Sequence, residues 1–225
     1  MQAIGFNEPY GLQEAVLKRL KTMTRRSEKG FENLEEGNFY FNKARCEIYL
    51  YGEKGTIIET IKTRYKIGEV VAIRQRYRDI AEDMFFINAI AADGHCVNAM
   101  KHDAGWDNKM FVKAAYMPHH IRITDLKVER LKDISKEDCL REGIDEDYAE
   151  GTALYWWSVP HEGISWEEYK KRNYELARHE LNGETGSYFW DTPQGAFAAL
   201  IDKVSGKGTW DRNLFMPAYT FELID

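Results

Sequence analysis

Apolar residues recur at helical spacing near the start of the chain. Leu12, Ala15, Val16 and Leu20 follow an i, i+3, i+4, i+8 pattern, which gives a helix one apolar face. This spacing predicts a short amphipathic helix over residues 12–20. Cationic side chains gather where the helix should end, in "VLKRLKTMTRR", and there they can interact with the negative end of the helix dipole.

Runs rich in β-branched and aromatic residues follow this helix. The stretches 45–53, 55–65 and 66–77 are separated by turns that contain glycine, and together they predict an antiparallel meander. Apolar and polar positions also alternate over 120–134, which predicts a long strand with one buried face. The short apolar runs of 78–110 fit either a helix or a strand.

Capping signals indicate two helices in the second half of the chain. Ser135, with Asp138 three positions on, predicts a short helix that stops at Gly143. Ser165 and Glu168 form a capping box that predicts a helix running to about residue 181.

The last part of the chain predicts one more helix and a final strand. Thr192 is the expected N-cap of the helix, with Pro193 at its first position. The strand covers 213–224, and Pro217 within it indicates an edge position or a bulge, because proline cannot donate a ladder hydrogen bond. We find no repeat and no low-complexity linker, so the pattern favours one α+β domain.

Composition narrows the classes of partner. Lysine and arginine number 31 against 37 aspartate and glutamate, a formal net charge of −6, so contact with nucleic acid would have to be local. Cys46, Cys96 and Cys139 lie far apart without metal-ligand spacing, which favours a reducing cytoplasm and neither a metal nor a cofactor. The sequence has no signal-peptide pattern and no apolar run of about 18 residues, so we expect a cytoplasmic protein without a membrane segment.

The cationic stretch over residues 16–26 contains side chains suited to catalysis and to anion binding. Lys21 and Thr24 are three positions apart, which would bring their side chains together on a helical turn. A threonine hydroxyl becomes a nucleophile when a base takes its proton, and lysine serves as that base when its pKa is lowered. Arg19, Arg25 and Arg26 would lower that pKa, and they are suited to bind phosphate or a developing oxyanion. The alternative is a solvated helix end without chemistry.

Four segments together resemble one protein family. "KTMTRR", "YKIGEVVAIRQRY", "YMPHHIRITDLKVERLKDISKEDCLREGI" and "GTWDRNLFMPAYTFELI" occur in the order typical of the ASCH domain, in its phage and prophage branch. The segment that begins at Tyr116 is the most specific of the four. We interpret the unmatched stretches near 27–63, 78–105 and 145–191 as insertions in a single domain.

The resemblance implies both a fold and a site. The fold would be PUA-like, an α+β architecture with a small β-barrel core, flanking helices and a cleft beside the motif helix that binds RNA or nucleotides. Some similar proteins are amidohydrolases that remove the acetyl group from acetylated cytidine with a lysine, a threonine and a glutamate. Lys21, Thr24 and Glu142 match these three positions, and Arg26 matches the arginine that ends the motif.

The chain departs from the family pattern at two places. Arg19 stands where the family has a glycine, so a turn with positive φ would be costly and we expect the helix to extend further. Leu214 and Pro217 replace a proline and a large aromatic residue in the last strand, which predicts altered edge geometry.

Three functions stay open at this point. The first is a binding module for RNA, a nucleotide or a modified nucleoside, in which arginines meet phosphate and an aromatic side chain meets a base. The second is a metal-independent amidohydrolase that acts on an acylated nucleoside such as acetylcytidine. The third is a phage accessory protein whose insertions bind another, unknown protein.

Other candidate residues carry weaker signals. The aromatic residues at 155–157 and 188–190 suit base stacking, but they suit a core or a lid better. His119 and His120 are adjacent on a predicted strand and point to opposite faces, so they do not predict a metal site. We interpret Asp93, His95 and Cys96 as loop residues.

Overall fold

The computed structural model describes residues 1–149, 152–157 and 190–225. Within these ranges the chain forms both strands and helices. The strands are β1 (Gln2–Ile4), β2 (Met23–Arg25), β3 (Phe39–Asn42), β4 (Glu47–Tyr51), β5 (Ile57–Lys62), β6 (Val70–Ile73), β7 (His120–Arg130), β8 (Asp145–Ala149), β9 (Thr152–Trp156) and β10 (Phe215–Leu223). The helices are α1 (Leu12–Leu17), α2 (Met84–Ala92), α3 (Val97–Met100), α4 (Lys136–Arg141), α5 (Pro193–Ser205) and α6 (Thr209–Arg212). The predicted helix that begins at Ser165 lies outside the described residues.

A five-stranded sheet joins distant parts of the sequence in the order β1-β6-β7-β10-β2. β1 pairs with β6 in parallel, and the other pairs are antiparallel. The largest cluster of buried apolar residues includes Val16 of α1, Ile121 of β7, Phe197 of α5 and Tyr219 of β10. Helices from both ends of the chain therefore pack against the sheet.

The other strands form two smaller sheets. β3, β4 and β5 make an antiparallel three-stranded sheet, and β8 pairs with β9 in a hairpin. The predicted meander is confirmed for β4 and β5, whereas β6 joins the five-stranded sheet instead. The fold is α+β, as predicted. The barrel core implied by the resemblance is not confirmed, because the described strands form open sheets.

Helix α1 ends earlier than predicted. It stops at Leu17, and Leu20, expected on the buried face, is 55% exposed. The cause is Arg19, which adopts a φ of 60° in the left-handed region. The expectation that arginine at this position would extend the helix is therefore wrong, and the chain turns here as a glycine would allow.

Strand β10 is central rather than at an edge. It lies between β7 and β2, and its register shift falls between Thr220 and Phe221, so the prediction of an edge or a bulge at Pro217 is wrong. Pro217 has no backbone N–H to donate, and this is tolerated because β2 ends opposite it, where Arg25 pairs with Ala218. The Pro217 carbonyl still accepts a hydrogen bond from the Arg26 backbone N–H, at 3.2 Å.

The capping predictions at Ser135 and Thr192 are confirmed. The Ser135 hydroxyl accepts a hydrogen bond from the backbone N–H of Asp138 at 3.2 Å, and Thr192 accepts from Gly195 at 3.1 Å. The undecided stretch 78–110 forms the helices α2 and α3 with short 3₁₀ turns around them. In the described ranges no helix has the length and apolar composition that crossing a membrane requires.

Candidate functional site

Three of the predicted site residues, Lys21, Arg25 and Glu142, come together where the chain passes from α1 into β2. The backbone N–H of Thr22 donates to the Arg141 carbonyl at 2.9 Å, which holds this passage against the end of α4. Glu142 is the C-cap residue of α4, and Gly143 after it has a φ of 99°, a value that favours glycine. The helix therefore ends beside Lys21.

Lys21 and Glu142 form a buried ion pair. Lys21 Nζ donates to Glu142 Oε2 at 2.7 Å and to the Glu142 backbone carbonyl at 2.6 Å, across 121 residues of sequence. Both residues are buried, at 2% and 3% exposure. The predicted convergence of these two residues is therefore present in the structure.

Arg25 extends this pair into a larger ionic cluster. Its Nη1 donates to Glu142 Oε1 at 3.0 Å, and its Nη2 contacts the carboxylates of Glu129 and, at 3.4 Å, Asp138. Lys127 bridges the same two carboxylates. We call Lys21, Arg25, Lys127, Glu129, Asp138 and Glu142 the buried ionic cluster. Arg141, whose side chain is 41% exposed, also pairs with Asp138, at 3.7 Å.

Burial and charge set the protonation of the two buried cations. Burial lowers the pKa of Lys21, and this outweighs the attraction of Glu142, while Arg26 and Arg25 lower the pKa further. Burial also acts to lower the pKa of Arg25, but the carboxylates of Glu142 and Glu129 outweigh it and raise the pKa. Lys21 is therefore the member of the cluster that most readily gives up a proton.

Thr24 lies next to the cluster but on the other face of β2. Successive side chains of a strand point to opposite faces, so Thr24 points away from Arg25 and shares a row with Tyr219 and Leu126 on the neighbouring strands. Thr24 is 4% exposed, and within the described part of the chain its hydroxyl makes no hydrogen bond. The predicted contact between the hydroxyl and the Lys21 ammonium is thus not formed in this structure.

The predicted phosphate-binding arginines differ in how they are held. Arg19 Nη1 donates to the Leu223 carbonyl at 2.6 Å, and Arg25 is held by carboxylates. Arg26 Nη2 donates to the Gly5 carbonyl at 2.7 Å, and its guanidinium lies 5.3 Å from the ring centroid of Phe6. The Nε atoms of Arg25 and Arg26 are both buried without a partner. Arg26 differs from Arg25 in that no carboxylate forms an ion pair with it in the described part of the chain.

Sequence reasoning missed the acidic partners of Arg25. Lys127 and Glu129 are two positions apart on a strand that the sequence predicts, so they share a face of β7. That alternation was a readable signal of a charged patch on the strand. Arg25 lies close to this patch because β2 and β7 both pair with β10, one on each side. No local sequence pattern specifies that strand order.

The weaker candidates occupy structural positions. Tyr155 and Trp156 are buried, and the Trp157 ring stacks on Trp190 with centroids 4.5 Å apart, so these aromatic residues pack with the core. Tyr188 and Phe189 lie outside the described residues. Asp93 accepts a hydrogen bond from the Tyr116 hydroxyl at 2.5 Å.

The two adjacent histidines have separate partners. His119 Nδ1 is 2.7 Å from Gln75 Oε1, and His120 Nδ1 is 2.5 Å from Asp225 Oδ2. Within residues 1–149, 152–157 and 190–225, no three His, Cys, Asp or Glu side chains are grouped so that they could hold a metal ion.

Comparison with known proteins identifies no relative: no protein-family profile, no curated protein and no solved structure matches this chain. The chemistry of the site must be argued from its own geometry. That geometry offers an amine with a lowered pKa and a carboxylate beside it, and a hydroxyl without a hydrogen bond on the opposite face of β2. These groups can donate to, accept from and exchange protons with a polar ligand.

Proposed function

We propose that this chain binds a nucleotide or a modified nucleoside in an ASCH-type cleft of a PUA-like fold, where Lys21 and Glu142 contact the base. The observation that carries this proposal is the buried Lys21–Glu142 pair, in which two residues 121 positions apart meet. Burying two charges costs free energy, and ionisable groups whose pKa is shifted by burial and a charged partner are candidates for a functional site.

The pairing within the buried ionic cluster indicates which part of the ligand it meets. Lys21 and Arg25, its two fully buried cations, are each paired with a carboxylate, so neither is free to meet a phosphate. An ammonium beside a carboxylate instead suits a nucleobase edge, which presents acceptors next to donors. Cytosine fits this pairing, since a carboxylate accepts from its N4 amino group.

A calorimetric titration with cytidine and acetylcytidine tests this proposal. We expect saturable binding to the native chain and at least about a tenfold loss of affinity in Glu142→Gln, because a hydrogen bond to a charged group is worth about 1.5–3 kcal/mol. Lys54→Met, at an exposed lysine outside the site, is the control and should bind as the native chain does. Absence of binding to the native chain, or equal binding in Glu142→Gln, would contradict the proposal.

A second candidate function is hydrolysis of an acylated nucleoside, and the lowered pKa of Lys21 favours it. In this reaction Thr24 Oγ1 attacks the acyl carbon while neutral Lys21 takes the hydroxyl proton. The C–N bond then breaks, and the lysine returns the proton to the leaving amine. Water hydrolyses the acyl-threonine ester, which releases the carboxylic acid and restores the hydroxyl.

The hydrolase candidate requires that Thr24 and Lys21 approach each other when substrate binds. Incubation with acetylcytidine should release cytidine and acetate, at a rate that rises with pH as Lys21 loses its proton. Thr24→Ala and Lys21→Met should abolish release, whereas Thr24→Ser should keep part of it because serine retains the hydroxyl. Acetylcytidine that binds but stays intact would contradict hydrolysis of this substrate and leave the binding proposal in place.

A further inference from the structure

Three arginines surround one buried tyrosine on the far side of β2 from the buried ionic cluster. Tyr65 is 2% exposed, and Arg26, Arg64 and Arg74 all act on it electrostatically. The Arg64 guanidinium lies 5.5 Å from the centroid of the Tyr65 ring. We call these three residues the arginine cluster.

The backbone at Gly5 brings two of these arginines together. Arg26 Nη2 donates to the Gly5 carbonyl at 2.7 Å, and Arg74 Cδ lies 4.0 Å from the point where a Cβ on Gly5 would be. Arg74 is fixed by the sheet, since its backbone N–H donates to the Ile4 carbonyl at 2.8 Å. Arg26 and Arg74 therefore approach the same short stretch of chain from β2 and from β6.

One carboxylate, Glu28, acts electrostatically on Arg26 and Arg64, and a single negative charge does not neutralise three cations. Glu28 Oε1 accepts from the Tyr219 hydroxyl at 2.6 Å, and Oε2 accepts from the Arg64 backbone N–H at 3.0 Å. In the described part of the chain, none of the three guanidinium groups forms an ion pair. The arginine cluster thus has an excess of positive charge in a chain whose net charge is −6.

Two donors of the cluster also lack partners. The Nε atoms of Arg26 and Arg74 are buried without a hydrogen bond, and a buried donor left unpaired costs about 1–3 kcal/mol. Three cations that share one or two carboxylates also repel one another, which destabilises the fold. A guanidinium matches the geometry of phosphate, to which it can donate two parallel hydrogen bonds. A bound phosphate would remove both costs.

We infer that Arg26, Arg64 and Arg74 form an anion site that binds the phosphate of a nucleotide, an inference that rests on the proposed nucleotide-binding function. The two sites lie on opposite faces of β2, and because β2 is an edge strand of the five-stranded sheet, one nucleotide reaches both around that edge. Arg26 follows Thr24 by two residues, and Glu142 and Glu28 both act on it electrostatically. Arg19 and Arg25 are held by a backbone carbonyl and by carboxylates, so the phosphate is bound by Arg26 with two arginines that the sequence did not single out.

Calorimetric titrations with cytidine and cytidine 5′-monophosphate, at one ionic strength, test this site. The native chain should bind the monophosphate at least about tenfold more tightly than the nucleoside, as expected for charge-assisted hydrogen bonds. Arg64→Gln should reduce that ratio to below about threefold and leave cytidine affinity unchanged. The Arg64 side chain is exposed, so this variant is expected to fold. Arg45→Gln, an exposed arginine in the β3–β4 turn, is the control of equal charge and should keep the native ratio.

The outcomes separate this inference from the proposed function. Cytidine binding without any gain from the phosphate, or an equal ratio in native chain, Arg64→Gln and Arg74→Gln, would overturn the anion site and leave nucleoside binding intact. If neither compound binds, the proposed function fails, and inorganic phosphate becomes the probe. If phosphate binds, and Arg64→Gln weakens this binding while Arg45→Gln does not, the anion site is upheld. If phosphate does not bind, the anion site is overturned.

Discussion

At the scale of single residues, Arg19 decides where Lys21 lies. Its left-handed backbone ends α1 at Leu17 and turns the chain toward α4. This conformation costs an L-residue about 1–2 kcal/mol, and the hydrogen bond from Arg19 Nη1 to the Leu223 carbonyl offsets part of that cost. The sequence predicted a longer helix instead, because it could not show that a hydrogen bond to a residue 204 positions away would support an arginine in this turn.

Two substitutions separate the backbone strain at Arg19 from its side-chain bond. Arg19→Ala removes the hydrogen bond and keeps the strain, whereas Arg19→Gly removes both. We therefore expect Arg19→Gly to be more stable than Arg19→Ala by about 1 kcal/mol, measured as the free energy of unfolding in urea. Equal stability of the two variants would show that the turn carries no strain.

At the scale of elements, the buried ionic cluster connects β2, β7 and α4. The capping pair at Ser135 and the alternation over 120–134 made α4 and β7 predictable, because both signals are local. The resemblance placed Lys21 beside Glu142. The partners of Arg25 were not predictable, since they depend on the order of strands in the sheet.

The double role of Glu142 predicts unequal costs for breaking the cluster. Glu142→Gln removes the negative charge that Lys21 and Arg25 share. We therefore expect it to lower the free energy of unfolding by about 3–5 kcal/mol. Lys21→Met should cost less, because Glu142 keeps its bond to Arg25. Chemical denaturation measures both values.

Glu14→Gln is the control for these two variants. It breaks the exposed pair of Glu14 with Lys18 on α1, and it should change stability by less than about 0.5 kcal/mol. If Lys21→Met were as destabilising as Glu142→Gln, Glu142 would not be the shared partner that the geometry indicates.

At the scale of the whole molecule, composition and pattern predicted an α+β chain but not its assembly. The strand at 70–73 was expected in the meander, yet it pairs with β1 and β7, because the alternation of side chains does not specify which strand lies alongside. Strand β3 was not predicted at all. Local signals identified elements, and long-range contacts decided the sheets.

The folded chain should also show a pH dependence that comes from Glu28. Burial raises the pKa of this carboxyl above its ordinary value of 4.5, against the hydrogen bond from Tyr219. A raised carboxyl pKa means that the folded state binds the proton more tightly than the unfolded state. The resulting stability is therefore complete below pH 4.5 and is lost as the pH rises through the folded-state pKa.

Glu28→Gln removes this titration and keeps an oxygen that can accept from Tyr219. The stability of the native chain relative to Glu28→Gln should therefore fall as the pH rises from 4.5, the ordinary value, toward neutrality. Urea unfolding of both proteins across this range measures the difference. A difference that stays constant with pH would show that burial does not raise the pKa of Glu28.

An NMR titration of ¹⁵N-labelled protein with cytidine 5′-monophosphate tests whether a nucleotide binds beside Lys21 and Glu142. We predict that the backbone amide shifts change at residues 21–26 and 142–143, and that Glu142→Gln greatly reduces these changes. Shifts confined to the β3–β5 sheet, or no shifts at saturating ligand, would contradict the claim.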